Sequence, residues 1–103
     1  MDPFNIIIRN KGEQIDLNIH PQAADSYKVI YHGGLVGEIF MGATGEWVAV
    51  SAEDLDSGGY PIYEYDETSG HADLLLDEEV VKEIGAQISE RVGEGRAYMG
   101  PKD

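Results

Sequence analysis

Apolar and polar positions alternate through the first fifth of the chain, the period of a strand with one buried face, and the alternation carries its own register. With a turn at Lys11-Gly12, Phe4 stands opposite Ile19, Ile6 opposite Leu17 and Ile8 opposite Ile15, so every cross-strand pair on that face is apolar. The other face pairs Asn5 with Asn18, Ile7 with Asp16 and Arg9 with Gln14, the wet side of a half-buried hairpin. A slip of one residue sets Ile8 against Gln14 and Ile6 against Asp16 and mixes the faces.

A second hairpin is predicted over 26–32 and 35–41, joined by Gly33-Gly34, a dipeptide that accepts the positive φ angles of tight turns. This pairing places Tyr31 opposite Val36, Val29 opposite Glu38 and Tyr27 opposite Phe40. A further turn over 42–45 brings Phe40 opposite Trp47 and Ile39 opposite Val48. One face of the unit then gathers Tyr27, Val29, Tyr31, Phe40 and Trp47, and the other Ile30, Leu35, Ile39, Met41, Val48 and Val50. Both faces are apolar.

Between residues 52 and 71 the alternation gives way to acids, glycines and tyrosines, with 61–65 as the one stretch suited to a short edge strand. A helix follows over 78–92: Val80, Val81, Ile84, Ile88 and Val92 form one apolar stripe. Asp77 is placed to cap it, Leu76 and Val81 have the spacing of a hydrophobic staple, and Glu78 and Glu79 suit the positive end of its dipole. Gly85 at the edge of the stripe implies close approach to a bulky sheet residue such as Trp47 or a tyrosine.

The fold class expected is α+β: a meander-like antiparallel sheet of about five strands in the N-terminal half, an irregular acidic loop segment, and one C-terminal amphipathic helix packed on one sheet face. Residues 1–92 form a single domain and 93–103 a Gly-rich flexible tail. One helix covers one face, so the second apolar face must meet the 53–76 segment, a partner chain or a ligand.

Charge sharpens this picture. Of the 103 residues, 20 are acidic and 7 basic, a formal net charge of −13, and residues 53–90 alone hold 12 acids against 1 base. Such a chain repels phosphate backbones and anionic membranes, so direct binding of nucleic acid or a membrane surface is not expected. The chain contains no cysteine, which removes disulfides and thiolate chemistry and suits a reducing cytoplasm. The opening Met1-Asp2-Pro3-Phe4 has no secretory pattern, and the apolar runs are far short of a membrane span, so a cytoplasmic protein is expected.

The candidate chemistry is sparse. Asp54 and Asp56 start like a calcium loop, but Gly58 and Tyr65 stand where an oxygen ligand and a bidentate glutamate are needed, so an acidic surface turn is the plainer reading. His20, His32 and His71 lack metal or catalytic spacing, and they sit at a strand exit, beside a turn and in a loop respectively. The glycine runs match neither phosphate-loop nor dinucleotide patterns, and Ser51, Ser57, Ser69 and Ser89 lack the setting of a nucleophile elbow. No cofactor and no catalytic or metal-binding residue is therefore expected.

Two residue sets suit recognition. Tyr60, Tyr63, Glu64, Tyr65, Asp66 and Glu67 make an acidic, aromatic stretch of the kind that meets a basic protein, against the plainer reading of a solvated loop. Tyr27, Tyr31, Phe40 and Trp47 make an aromatic sheet face that either packs under the helix or docks a partner. The run from Tyr27 to Ile39 with the following Trp47 resembles small bacterial α+β proteins in general, with no motif that assigns a role. The leading expectation is a small acidic, non-enzymatic protein-interaction domain, homodimeric through the uncovered sheet face. The alternatives are an immunity-like or nucleic-acid-mimic inhibitor of a basic protein, and a small-molecule or metal-dependent enzyme using a histidine beside carboxylates.

Overall fold

Five antiparallel strands follow one another, each bonded to the next, because every connection among them is short enough to return the chain to its neighbour. In the computed structural model they are β1 (Phe4–Asn10), β2 (Glu13–Pro21), β3 (Ser26–Tyr31), β4 (Gly34–Met41) and β5 (Trp47–Ser51). A 3-10 turn (Ala52–Asp54) leaves β5, and helix α1 (Glu78–Arg96) is the last described element. The structure describes residues 2–22, 25–55, 59–66, 68, 70 and 74–96, with side chains described as far as Arg91.

The β1–β2 register is the one the alternation specifies: Phe4 faces Ile19, Ile6 faces Leu17 and Ile8 faces Ile15. Lys11 and Gly12 make the turn with φ of 54° and 80°, the left-handed pair of a type I′ hairpin. The six apolar side chains of this hairpin are buried under α1 together with Val80, Val81, Ile84 and Ile88. Among the most enclosed are Ile8, Ile15, Leu17, Ile19, Ile84 and Ile88, each contributing roughly 1.5–3 kcal/mol by leaving water.

The β3–β4 pairing differs from the expected one. His32 and Gly33, at φ 49° and 79°, form the turn in place of Gly33-Gly34, so Tyr31 pairs with Gly34 and Ile30 with Leu35. A bulge between Val29 and Ile30 then shifts the ladder, giving Val29 with Gly37 and Tyr27 with Ile39. β5 follows the same shift, with Phe40 opposite Val48 and Met41 opposite Trp47. The physical reason lies at Gly34: the backbone of 61–63 runs beside Leu35, donating Tyr63 N–H to Leu35 O at 2.9 Å and accepting Leu35 N–H at Pro61 O at 2.7 Å. A Cβ on Gly34 would stand 2.8 Å from Tyr63 Cα, so this glycine serves close approach and the turn moves one residue earlier.

The shift redistributes the two faces. Ile39 joins Tyr27, Val29 and Tyr31 under the helix, with Trp47 and Ala49 packed against them. Phe40 pairs with Ser26 and Val48 on the opposite side, so the aromatic face of Tyr27, Tyr31, Phe40 and Trp47 loses Phe40. On that second side Ile30 and Leu35 are covered by Ala52, Leu55 and Tyr60, a small separate core.

Asp77 caps α1 as the spacing requires, its Oδ1 accepting the Val80 N–H at 2.9 Å. The helix continues through Gly93 and Gly95 to Arg96, past the stop expected at Val92; residues 97–103 lie outside the described residues. Gly85 lies directly against Trp47: a Cβ there would fall 2.5 Å from the indole Cγ and Nε1. The helix backbone lies close to both edge strands, β1 and β5.

Candidate functional site

The acidic, aromatic stretch does not stay together as a surface. Tyr60 turns onto the second sheet face, where its hydroxyl lies 2.9 Å from His20 Nδ1 and its ring meets the imidazole edge-on at 5.4 Å. Tyr63 turns the other way and packs edge-on against Tyr31 at 5.0 Å. Both are half-buried. Glu64, Tyr65 and Asp66 remain exposed, Tyr65 at 48%, and Glu67 lies outside the described residues. Asp66 closes a local turn by accepting the Thr68 N–H at 2.9 Å and the Thr68 hydroxyl at 2.8 Å. These two bonds, the backbone one foremost, hold its carboxyl below the usual range.

The second sheet face carries a polar chain. Tyr60 Oη and His20 Nδ1 share a hydrogen bond, His20 Nε2 shares another with Asn18 Oδ1, and Asn18 Nδ2 donates to Asn5 Oδ1 at 2.7 Å. Both imidazole nitrogens are thereby used within the fold, by Tyr60 and Asn18. His32 sits in the β3–β4 turn against the Tyr31 ring, and His71 lies outside the described residues, as do Asp56 to Gly58 of the calcium-like run. Among the described residues no group of three or more histidine, aspartate or glutamate side chains is placed to hold a metal ion. Between described residues the single ion pair is Lys28 with Glu38, 3.3 Å apart. Among them too, no helix is long and apolar enough to cross a membrane.

The two edges of the sheet are treated differently, a feature the sequence pattern did not bring out. In β1 the N–H and C=O groups of Asn5, Ile7 and Arg9 point away from β2, and three helix side chains meet them. Glu83 accepts the Arg9 N–H at 3.1 Å, Gln87 donates to Ile7 O at 3.1 Å, and Arg91 donates to Asn5 O at 3.4 Å. Helical positions four apart rise about 6 Å and alternate strand positions about 6.8 Å, so a polar stripe on α1 can serve the strand edge step for step. Arg91 also lies over the Phe4 ring, 4.9 Å from its centroid.

At β5 the helix meets the strand closely at Gly85 and Trp47 and leaves the strand's outer backbone groups without helix side-chain partners among the described residues. Between its flank and the strand lies a groove of about 560 Å³, with Trp47, Ala49, Leu76 and Val81 as its apolar wall. Glu46, Asp77 and Glu78 line it on the acidic side, with Lys82 as its one cationic member. Of the two residue sets singled out from sequence, Trp47 alone reaches this groove. Comparison of the chain with protein-family models, with curated proteins and with solved structures finds no match to any of them, so its chemistry is read from its own geometry.

Proposed function

We propose that this chain is a small acidic protein-binding module that acts by docking rather than by catalysis, and that its partner is a basic protein. The observation that carries this reading is the contrast between a net charge of −13 and one ion pair between described residues, Lys28 with Glu38. Charge left unneutralised within a fold projects a field outward, and that field speeds encounter with a basic surface while repelling phosphate and anionic lipid. The exposed Glu64, Tyr65 and Asp66 supply carboxylates and aromatic area on one segment. Inhibition of a basic nucleic-acid-binding protein by covering its active surface is one form of this reading. The cysteine-free composition suits an encounter in a reducing cytoplasm.

Self-association through the second sheet face is the other reading, favoured by the apolar corner of Phe40 and Val48, the latter 37% exposed. It has less to work with than the sequence pattern promised, since Ile39 packs under the helix and Leu35 under Tyr60. Light scattering across protein concentration separates the two: a dimer supports self-association, and a monomer removes it. For the basic partner the test is capture at low and high ionic strength, with and without Glu64→Gln, Asp66→Asn and Glu67→Gln together. Capture that falls with salt and with these substitutions supports the reading, and capture indifferent to both refutes it.

A further inference from the structure

We infer that the free edge of β5 and the groove beside it receive an extended segment of a basic protein, which adds to the sheet as a sixth strand. The inference rests on the basic-partner reading and names its site and mode.

The edge is open by bonding pattern. Gly42 N–H donates to Glu46 O at 2.7 Å, which makes that pair a hydrogen-bonded one and, by alternation along the ladder, turns the N–H and C=O of Phe40, Glu38, Val48 and Val50 toward each other. The backbone groups of Trp47, Ala49 and Ser51 therefore face away from β4, and β5 is the last strand of the sheet. Among the described residues nothing bonds to the backbone groups of Trp47 and Ala49 or to the Ser51 N–H, while Ser51, as the N-cap of the 3-10 turn, gives its C=O to that turn. At the other edge, Glu83, Gln87 and Arg91 occupy every second residue of β1. Among the described residues the fold thus guards one edge against strand addition and leaves the other available.

The groove accommodates what a strand brings. A strand laid beside β5 places alternate side chains on the helix side, where Val81, Leu76 and the small Ala49 and Ala86 bound the 560 Å³ space. Main-chain bonds to Trp47, Ala49 and Ser51 supply affinity, and the apolar wall selects for a β-branched or aliphatic residue at every second position.

Charge decides which strand. Glu46 precedes β5, and Glu53 and Asp54, both exposed, follow it; Glu78 is exposed on the groove's helix side. Two copies of β5 pairing antiparallel about Ala49 would set Glu46 of each against the Glu53 end of the other, so a second copy meets like charge at both ends. A segment with lysine or arginine flanking its apolar alternation meets opposite charge at both ends instead.

The test uses the full chain and a short synthetic peptide that alternates valine and threonine between terminal pairs of lysine. The single tryptophan, Trp47, lies in the groove and reports binding by its fluorescence, and amide exchange at Trp47, Ala49 and Ser51 locates it. Binding with slowed exchange at those amides is expected. An analogue N-methylated at alternate residues, which cannot pair with an edge, should bind at least about tenfold more weakly, since several net hydrogen bonds are lost together. Ala49→Pro removes an outward N–H at an edge position that tolerates proline and should weaken binding by a similar factor, with circular dichroism confirming the fold. Glu46→Lys with Glu78→Lys gives an independent check through charge alone and should also weaken it.

Binding that is salt-sensitive yet indifferent to N-methylation and to Ala49→Pro overturns the edge proposal and leaves the basic-partner reading standing. Equal binding of a peptide with serines in place of the lysines keeps the edge and refutes the basic partner. A dimer that Ala49→Pro dissolves, or peptide binding that requires deletion of 97–103, identifies a second copy or the chain's own terminus as the occupant and overturns the proposal. Absence of any binding overturns it as well.

Discussion

Replacing Gly85 by alanine sets two effects of opposite sign against each other, and the structure says which wins. Alanine at an interior helical position is worth about 1 kcal/mol over glycine, so on an exposed face the change would stabilise. Gly85 is buried, and its new methyl would stand 2.5 Å from Trp47 Cγ and Nε1, where ordinary carbon contacts lie at about 3.5–4.0 Å. Cγ is the root of the indole and cannot swing aside as a chain end can, so α1 or β5 must move by about 1 Å. Overpacking of this kind costs about 1–3 kcal/mol, which leaves a net destabilisation of about 1 kcal/mol, or up to about 2. Urea unfolding followed by far-ultraviolet circular dichroism measures it, and a fall in Tm of about 4–8 °C for each kcal/mol should accompany it. In a Trp47→Leu background the obstacle is gone, and Gly85→Ala should then stabilise by about 0.5–1 kcal/mol. Stabilisation of the otherwise unaltered chain by Gly85→Ala would refute the account of this contact.

Three further outcomes are expected. Asp77→Ala removes the cap on Val80 N–H and should lower stability by about 1 kcal/mol in the same unfolding assay, with Asp77→Ser recovering most of it. Asp66 should titrate below its ordinary value by carboxyl carbon NMR, and Thr68→Ala should raise its midpoint by removing the hydroxyl donor. Because the folded value is depressed, the stability this turn contributes is present above the unfolded pKa and is lost as pH falls through the folded one. Glu83→Ala, Gln87→Ala and Arg91→Ala together uncover the β1 edge, and light scattering should show association that grows with concentration. A mass no different from that of the unaltered chain would mean that the side-chain ladder does not guard that edge.

The β1–β2 hairpin was legible because its faces contrast: apolar pairs on one side and polar on the other leave a single register that satisfies both. The β3–β4 hairpin offers no such contrast, since a slip exchanges one apolar residue for another, and Phe40 and Ile39 accordingly changed places. The deciding influences were non-local. Gly34 was reserved for the passing backbone of 61–63, which moved the turn onto His32, and the bulge near Val29 then reset the ladder. The close approach at Gly85 was legible because a glycine costs a helix stability and so marks a contact. The two tyrosines drawn into the fold were not, because an acidic, glycine-rich setting reads as solvent-facing even where Tyr60 finds His20 and Tyr63 finds Tyr31. The groove beside β5 joins residues about thirty to forty positions apart, Trp47 and Ala49 with Val81 and Ala86, and exists only once the helix is docked.

The ladder from α1 to β1 also imposes a schedule on folding. Its bonds join residues 74, 80 and 86 positions apart, among the longest separations in the chain, whereas the five strands pair only with sequence neighbours. Local hairpins close in about 1–10 μs, and long loops close later because their entropy must be lost first. During synthesis the sheet can therefore assemble well before Arg91 has been added, with the β1 edge bare and the apolar face of Ile6, Ile8, Ile15 and Leu17 uncovered. A nascent chain halted after β5 is thus the species most prone to join with others of its kind, and the last helix is what ends that exposure.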